Sequence, residues 1–314
     1  MLTYEEVKDK PVVFRSFTGL DKPEFEKLLL FFIAANRLYI AKNHIKGKKR
    51  QRRCGGGRRP KLATMETQLF FILFYFKTYP LQEVIAFLFG LGQGQANEWI
   101  YRLSEILKTA LELAGQLPER DPQKLKEVLA EYETLEFIID GTERRKQRPG
   151  DNEQQRKYYS GKKKAHTIKN NLIVHPDSRK VCYLSRTVEG KKHDKKICDE
   201  EGYCFPDNSL LLQDTGFQGF APDKVIVLQP KKRLKGQKLT VAEKVINRII
   251  SSSRIVVENV IAGVKRCRIV KDIFRNTKEH FDDLVMEIAC GLHNFRVECR
   301  SPLQTTKIFD FYFR

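Results

Sequence analysis

Two short apolar runs, TLEFIID (134–140) and SLLLQD (209–214), each close on a single aspartate. Apolar stretches of that length, bounded by polar residues, read as buried β-strands and not as helices. Around them KAHTIKNNLIV (164–174) and KVCYLSRTVEG (180–190) read as two strands joined by the turn HPDSR. KKHDKKICDEEG reads as a short helix, and KVIVLQP (224–230) as a further strand. A mostly helical tail runs from Thr240 to about Val297, with Thr240 and Glu243 spaced for a capping box. Three strands in succession, then strands alternating with helices, predict a mixed α/β sheet flanked by helices.

Upstream of 116–123 (QLPERDPQ) the pattern is helical. Residues 21–40 suit a helix that Asp21 caps, with Pro23 in its first turn. Residues 64–79 are apolar nearly all round, as in a helix enclosed by its neighbours. After Pro80, LQEVIAFLFG, the turn LGQG and QANEWIYRLSEILKTAL outline a helix-turn-helix. The second helix of that motif enters a DNA major groove by its N-terminal residues, and amide side chains such as Gln95 and Asn97 can read base edges there. Before it lies a basic linker, 42–61, with ten Lys and Arg, no acid and a glycine triplet; Arg58 and Arg59 close it. The expected organisation is a helix and basic linker over 1–62, a helix-turn-helix over 63–120 and an α/β domain over 130–300.

Charge names the partner class. The 58 Lys and Arg exceed the 39 Asp and Glu, for a net charge of +19, which favours a polyanion. A membrane span is excluded as a reading, because the longest apolar run, Leu69–Phe76, has eight residues against the roughly 20 required. There is no secretory signal pattern at the N-terminus. Seven cysteines without a C-x-x-C pair suggest reduced thiols and a cytoplasmic protein.

The two strand-end aspartates, Asp140 and Asp214, would sit at the mouth of a sheet, where α/β proteins hold ligands. Paired carboxylates repel unless a cation lies between them, and Mg²⁺ is the usual one. In SSSRIVVENVIAGVKRCRIV, read as one helix, Arg254, Glu258 and Lys265 fall within about 40° of one another. That face offers one carboxylate between two cations. The basic stretches 144–164, with Lys162, Lys163 and Lys164, and 231–238 read as loops that would flank the acids. Tyr158 and Tyr159 could stack on bases or pack; His166 could face DNA or pack.

Strand-Asp, strand-Asp, helix-Glu resembles the DDE transposases, and more closely the insertion sequence 5 family related to Harbinger elements. The resemblance rests on FIIDGTERR, YYSGKKKAHTIKNNLIV, the His193–Asp194 pair, LLQDTGFQG and the spacing of Arg254, Glu258 and Lys265, and covers about residues 15–300. It implies an RNase H-like sheet, three antiparallel strands then two parallel, preceded by an all-α helix-turn-helix domain. It further implies that Asp140, Asp214 and Glu258 hold two Mg²⁺ ions, with Mn²⁺ able to substitute, for cleavage and strand transfer of DNA. Arg254 and Lys265 would hold phosphates or neutralise Glu258. His193 and Asp194 read as a helix-capping pair rather than metal ligands. The implied partners are double-stranded DNA, as terminal inverted repeats and target, and further copies of the chain when two ends are synapsed. Ser251 stands where the family signature has Tyr, and only 43 residues separate Asp214 from Glu258, too few for the large insertion of some relatives. A catalytically silent DNA-binding protein and an RNase H-like nuclease are the alternatives.

Overall fold

The change of hydrophobic period near residue 118 is also a change of packing partner. A computed structural model describes residues 1–44, 60–231 and 239–300. One compact unit is Met1–Leu117 with Lys265–Asp272 and Leu284–Cys299, and a second is formed chiefly by Pro118–Val264 and Ile273–Asp283. Arg58, Arg59 and most of the basic linker lie outside the described residues, as does nearly all of the basic segment 231–238.

The first unit begins with α1 (Tyr4–Val7), α2 (Pro11–Thr18), α3 (Lys22–His44), α4 (Met65–Thr78), α5 (Gln82–Leu88) and α6 (Gln93–Leu113). Asp21 caps α3 as expected: its Oδ1 accepts the Glu24 N–H at 3.1 Å, while the Glu24 carboxylate accepts the Asp21 N–H at 2.8 Å. On α4 every residue from Gln68 to Phe76 is buried, so its all-round apolar pattern reflects enclosure. Phe70, Phe71 and Phe74 close on Phe89, which ends α5. Gly90 then turns the chain at φ +65°, a left-handed conformation that glycine adopts without strain. Helix α6 follows, burying Ala96, Ile100, Leu103 and Leu107.

The second unit contains α7 (Leu125–Ala130), β1 (Glu136–Arg145), α8 (Asn152–Tyr158), β2 (Tyr159–Ser160), β3 (Ala165–His175) and β4 (Lys180–Leu184). It continues through β5 (Val188–Glu189), α9 (Asp194–Glu201), β6 (Leu210–Gln213), β7 (Ile226–Leu228) and α10 (Val241–Val264). The main strand order is β4–β3–β1–β6–β7, with β2 and β5 pairing β3. Strand β3 pairs antiparallel with both β4 and β1, and β6 and β7 run parallel to β1. This is the mixed sheet expected, three antiparallel strands followed by two parallel ones in RNase H-like order.

Side chains alternate across it. Phe137 and Ile139 of β1, Ile173 of β3 and Leu211 of β6 join a core with Leu125, Leu129 and Cys198 of the covering helices. On α10 the buried residues Ile250, Ser253, Val257, Val260 and Val264 follow the three-and-four spacing of a helix face, and this helix packs on β1. Thr240 and Glu243 make the expected reciprocal cap at its start.

Three expectations change. Strand β1 does not end at Asp140 but runs five residues further, because β3 keeps pairing it as far as Arg145 opposite Thr167. The segment read as a loop over 144–164 holds the end of β1, α8 and β2. The strand expected over 180–190 stops at Leu184, where the Ser185 hydroxyl accepts the Asn171 N–H at 2.8 Å and the chain leaves the ladder. Helix α11 (Phe281–Arg300) closes the described chain. From Leu284 it packs within the helical unit, where Glu287 pairs with Lys108 at 3.1 Å, although the sequence pattern groups it with the sheet.

Gly90→Ala tests the helix-turn-helix turn. It should cost about 1 kcal/mol, because the left-handed backbone there strains any Cβ, read as a lower denaturant midpoint with an unchanged slope.

Candidate active site

The parallel ladder between β1 and β6 ends with Ile139 opposite Gln213. The next residues, Asp140 and Asp214, therefore stand beside each other on adjacent strands. Alternation turns both side chains away from the face of Phe137, Ile139 and Leu211. Asp140 Oδ1 accepts the Gly141 N–H at 2.8 Å, and Asp214 Oδ1 accepts the Thr215 N–H at 2.6 Å as the cap of the 3₁₀ turn Thr215–Phe217. Each acid thus spends one oxygen on the backbone and keeps the other for a partner.

Helix α10 supplies the cation. Arg254 Nη2 lies 3.4 Å from Asp214 Oδ2 and 3.9 Å from Glu258 Oε1. The same guanidinium lowers the proton affinity of Asp140, but burial outweighs it and, with the negative charges of Asp214 and Asp194, raises the Asp140 carboxyl to about 6. The structure thus brings Asp140, Asp214 and Arg254 together, with Glu258 on the far side of Arg254 and its side chain 61% exposed. Among the described residues no three acidic, His or Cys side chains are grouped closely enough to hold a metal ion. Asp140 and Asp214 fit a divalent cation: two oxygen ligands converge there, one of them buried at a cost that a positive charge would relieve. Glu258 is not gathered with them, since a guanidinium lies between.

Sequence reasoning set aside Asp194, which the fold brings to the same place from behind. His193 is the cap of α9 but makes no side-chain capping bond, and Asp194 is the first residue of the helix. The Asp194 carboxylate lies against Gly141 and Gly216, the glycines that follow the two aspartates. Lys169 Nζ stands 3.1 Å from its Oδ1. The only sequence signal was the His193–Asp194 pair itself.

The other expected residues divide. Lys162, Lys163 and Lys164 are exposed in the turn between β2 and β3, with Lys164 at φ +48°. They lie beyond the end of β1 that outlasts Asp140. Beside them Tyr159 and His166 meet edge to face at 5.7 Å between centroids, and Lys146 lies 4.5 Å from the Tyr158 ring. Gln95 is exposed near the start of α6, but its Oε1 accepts the Gly92 N–H at 3.2 Å, so half of its amide caps the helix. Asn97 is half-buried on the same turn. Lys265 follows the last residue of α10, so the helix ends before its position.

Residues 139–294 match the family model described as DDE superfamily endonuclease, and residues 60–113 match the helix-turn-helix of DDE superfamily endonuclease. The chain belongs to the DDE superfamily endonucleases. It is 29% identical over 247 residues to a probable transposase for insertion sequence element IS702 from Microchaete diplosiphon, an alignment covering 78% of this chain and 85% of that protein. No solved structure matches it. With both matched segments and that relative, the chain is a transposase of the DDE superfamily with a helix-turn-helix DNA-binding domain. No helix among the described residues is long and apolar enough to cross a membrane.

The Asp140 carboxyl gives a signed stability prediction. Its raised value means that the folded protein holds a proton which the unfolded chain releases near 3.8. Keeping it ionised costs folding on the order of 3 kcal/mol above pH 6, and the penalty fades as pH falls from about 6 to 4 and is absent below that. Asp140→Asn should therefore raise Tm at pH 7.5 in metal-free buffer, and the gain should shrink towards zero at pH 4. A destabilised variant at pH 7.5 would contradict the burial argument.

Proposed function

We propose that this chain binds the terminal inverted repeats of its own element, cleaves DNA there in a metal-dependent reaction and joins the freed 3′ end to target DNA. The observation that carries the reading is the pairing of Asp140 and Asp214 on one face of adjacent strands, with Arg254 against Asp214. Asp140 and Asp214 would hold Mg²⁺ or Mn²⁺, with Glu258 as the third acid and two ions as the expected complement. When bound, the ions supply charge neutralisation at the phosphodiester and activation of the attacking water or 3′-hydroxyl.

In the first step the water oxygen bonds to phosphorus as the P–O3′ bond breaks, leaving a 3′-hydroxyl on the element and a 5′-phosphate on the flank. In the second, that hydroxyl attacks a target phosphodiester and displaces another 3′-oxygen. Asp140 and Asp214 fix where the phosphorus must sit. Arg254, placed between Asp214 and Glu258, balances their charge before DNA arrives and can then donate to a phosphate oxygen. Lys162, Lys163 and Lys164 would track the backbone from the β2–β3 turn, as Arg58, Arg59 and Lys265 would elsewhere. Gln95 and Asn97 would face the major groove from the start of α6. Synapsing two ends requires at least two copies of the chain.

A second reading, DNA binding without catalysis, draws on one feature: Arg254 separates Glu258 from the two aspartates. One set of variants decides between them. Asp140→Asn, Asp214→Asn and Glu258→Gln should each abolish Mg²⁺-dependent nicking of terminal-repeat DNA while leaving its binding intact in a mobility-shift assay. Wild-type protein that binds such DNA but never nicks it would favour the silent reading.

Replacing Lys162, Lys163 and Lys164 together by alanine should weaken binding to all sequences alike. It should also flatten the dependence of log affinity on log salt by about 0.9 for each phosphate no longer neutralised. An unchanged slope would remove the turn from the interface.

A further inference from the structure

We propose that Asp194 is a positioning residue, a wedge on the reverse face of the sheet that sets the separation of Asp140 and Asp214. Its task begins where strand pairing stops. The β1–β6 ladder ends at Ile139 opposite Gln213, so the two residues that follow are no longer a ladder pair. Strand twist tends to splay parallel neighbours beyond their last paired residue.

Asp194 fills that position. A Cβ added at Gly141 would lie 2.7 Å from Asp194 Oδ1 and 3.1 Å from its Cγ, and one added at Gly216 would lie 3.1 Å from Oδ2. One carboxylate oxygen therefore abuts the residue after Asp140, and the other abuts the second residue after Asp214. Neither glycine has a positive φ, so backbone conformation does not demand glycine at either place. The contact with Asp194 does.

The wedge is anchored to the strand on the other side of β1. Lys169 Nζ lies 3.1 Å from Asp194 Oδ1 and donates to the Lys192 carbonyl at 3.0 Å. Asn171 Nδ2 donates to the Asp194 carbonyl at 3.1 Å. Lys169 and Asn171 pair with Glu143 and Gly141 of β1, so the position of Asp194 is referred to the strand that carries Asp140. Alternation puts Asp194 on the face opposite the Asp140 side chain. It touches no reacting group and acts through the main chain of its neighbours.

The test is a double-mutant cycle of Gly141→Ala and Asp194→Ala in the full chain, read by Tm and by Mn²⁺ titration followed by electron paramagnetic resonance. Gly141→Ala alone should lower Tm by at least about 3 °C. In the Asp194→Ala background the same change should cost little, because the colliding carboxylate is gone. Asp194→Ala should weaken Mn²⁺ binding about tenfold, the usual effect of losing a group that orients metal ligands, with terminal-repeat binding unchanged. Asp194→Asn, which keeps the shape, should bind Mn²⁺ close to wild type. Additive Tm losses in the cycle, or Asn as damaging as Ala, would overturn the wedge. The metal readout rests on the carboxylate pair proposed above. Wild-type protein that binds no Mn²⁺ would defeat that reading, while the thermal cycle would still decide whether Asp194 wedges the strands. If Gly141→Ala fails to fold, recovery of folding in the double variant supports the wedge and continued failure overturns it.

Discussion

The parallel pairing of β1 and β6 runs from Glu136 opposite Leu210 to Ile139 opposite Gln213, and the next residue of each chain segment is an aspartate. That single registration decides the rest of the candidate site. A shift of one residue would turn one carboxylate to the opposite face, since side chains alternate with a period of two. Because β1 is also paired with β3 well past Asp140, its backbone is held on the antiparallel side. On the parallel side the ladder stops, and two acids are left adjacent at the edge of a hydrophobic core.

Such an arrangement is costly without positive charge, and the structure shows how the cost is shared. Arg254 reaches Asp214 and Glu258 from α10, while Asp140 is left with a carboxyl that holds its proton up to about 6. The polar stretch of α10 is aimed by its buried stripe, in which Val257, Val260 and Val264 face the sheet. A cation or a phosphate entering this place would exchange partners with Arg254 instead of meeting an empty field. The local negative charge stands within a chain of net charge +19, so an approaching polyanion is attracted at long range and repelled only where the acids are.

In the helical unit, packing and recognition draw on neighbouring residues. Ala96 and Ile100 bury one face of α6, and the Gln95 amide oxygen closes the start of that helix on Gly92. A side chain expected to be able to read base edges is thus partly occupied by its own helix. The general reason is that the first N–H groups of a helix require acceptors, and an exposed amide nearby satisfies one of them.

Much of this was legible in the residues themselves. Periodicity located α4, α6, β3 and β6, three strands and then alternation indicated a mixed sheet, the family resemblance implied its antiparallel-then-parallel order, and the spacing of Arg254 and Glu258 placed both on one helix face. These are local properties, set by side-chain period, capping and turn chemistry within a few residues. What the sequence could not decide depended on partners far along the chain. The extension of β1 past Asp140 required β3. The placement of Arg254 between Glu258 and the aspartates required α10 to lie against β1. Gly141 and Gly216 fall within FIIDGTERR and LLQDTGFQG, but the reason for glycine there was not legible, because Asp194, which lies against both, is more than fifty residues from the first. Residue types were readable from order alone, but the distances between carboxylates, guanidinium and glycine backbone were set by packing of segments remote in sequence.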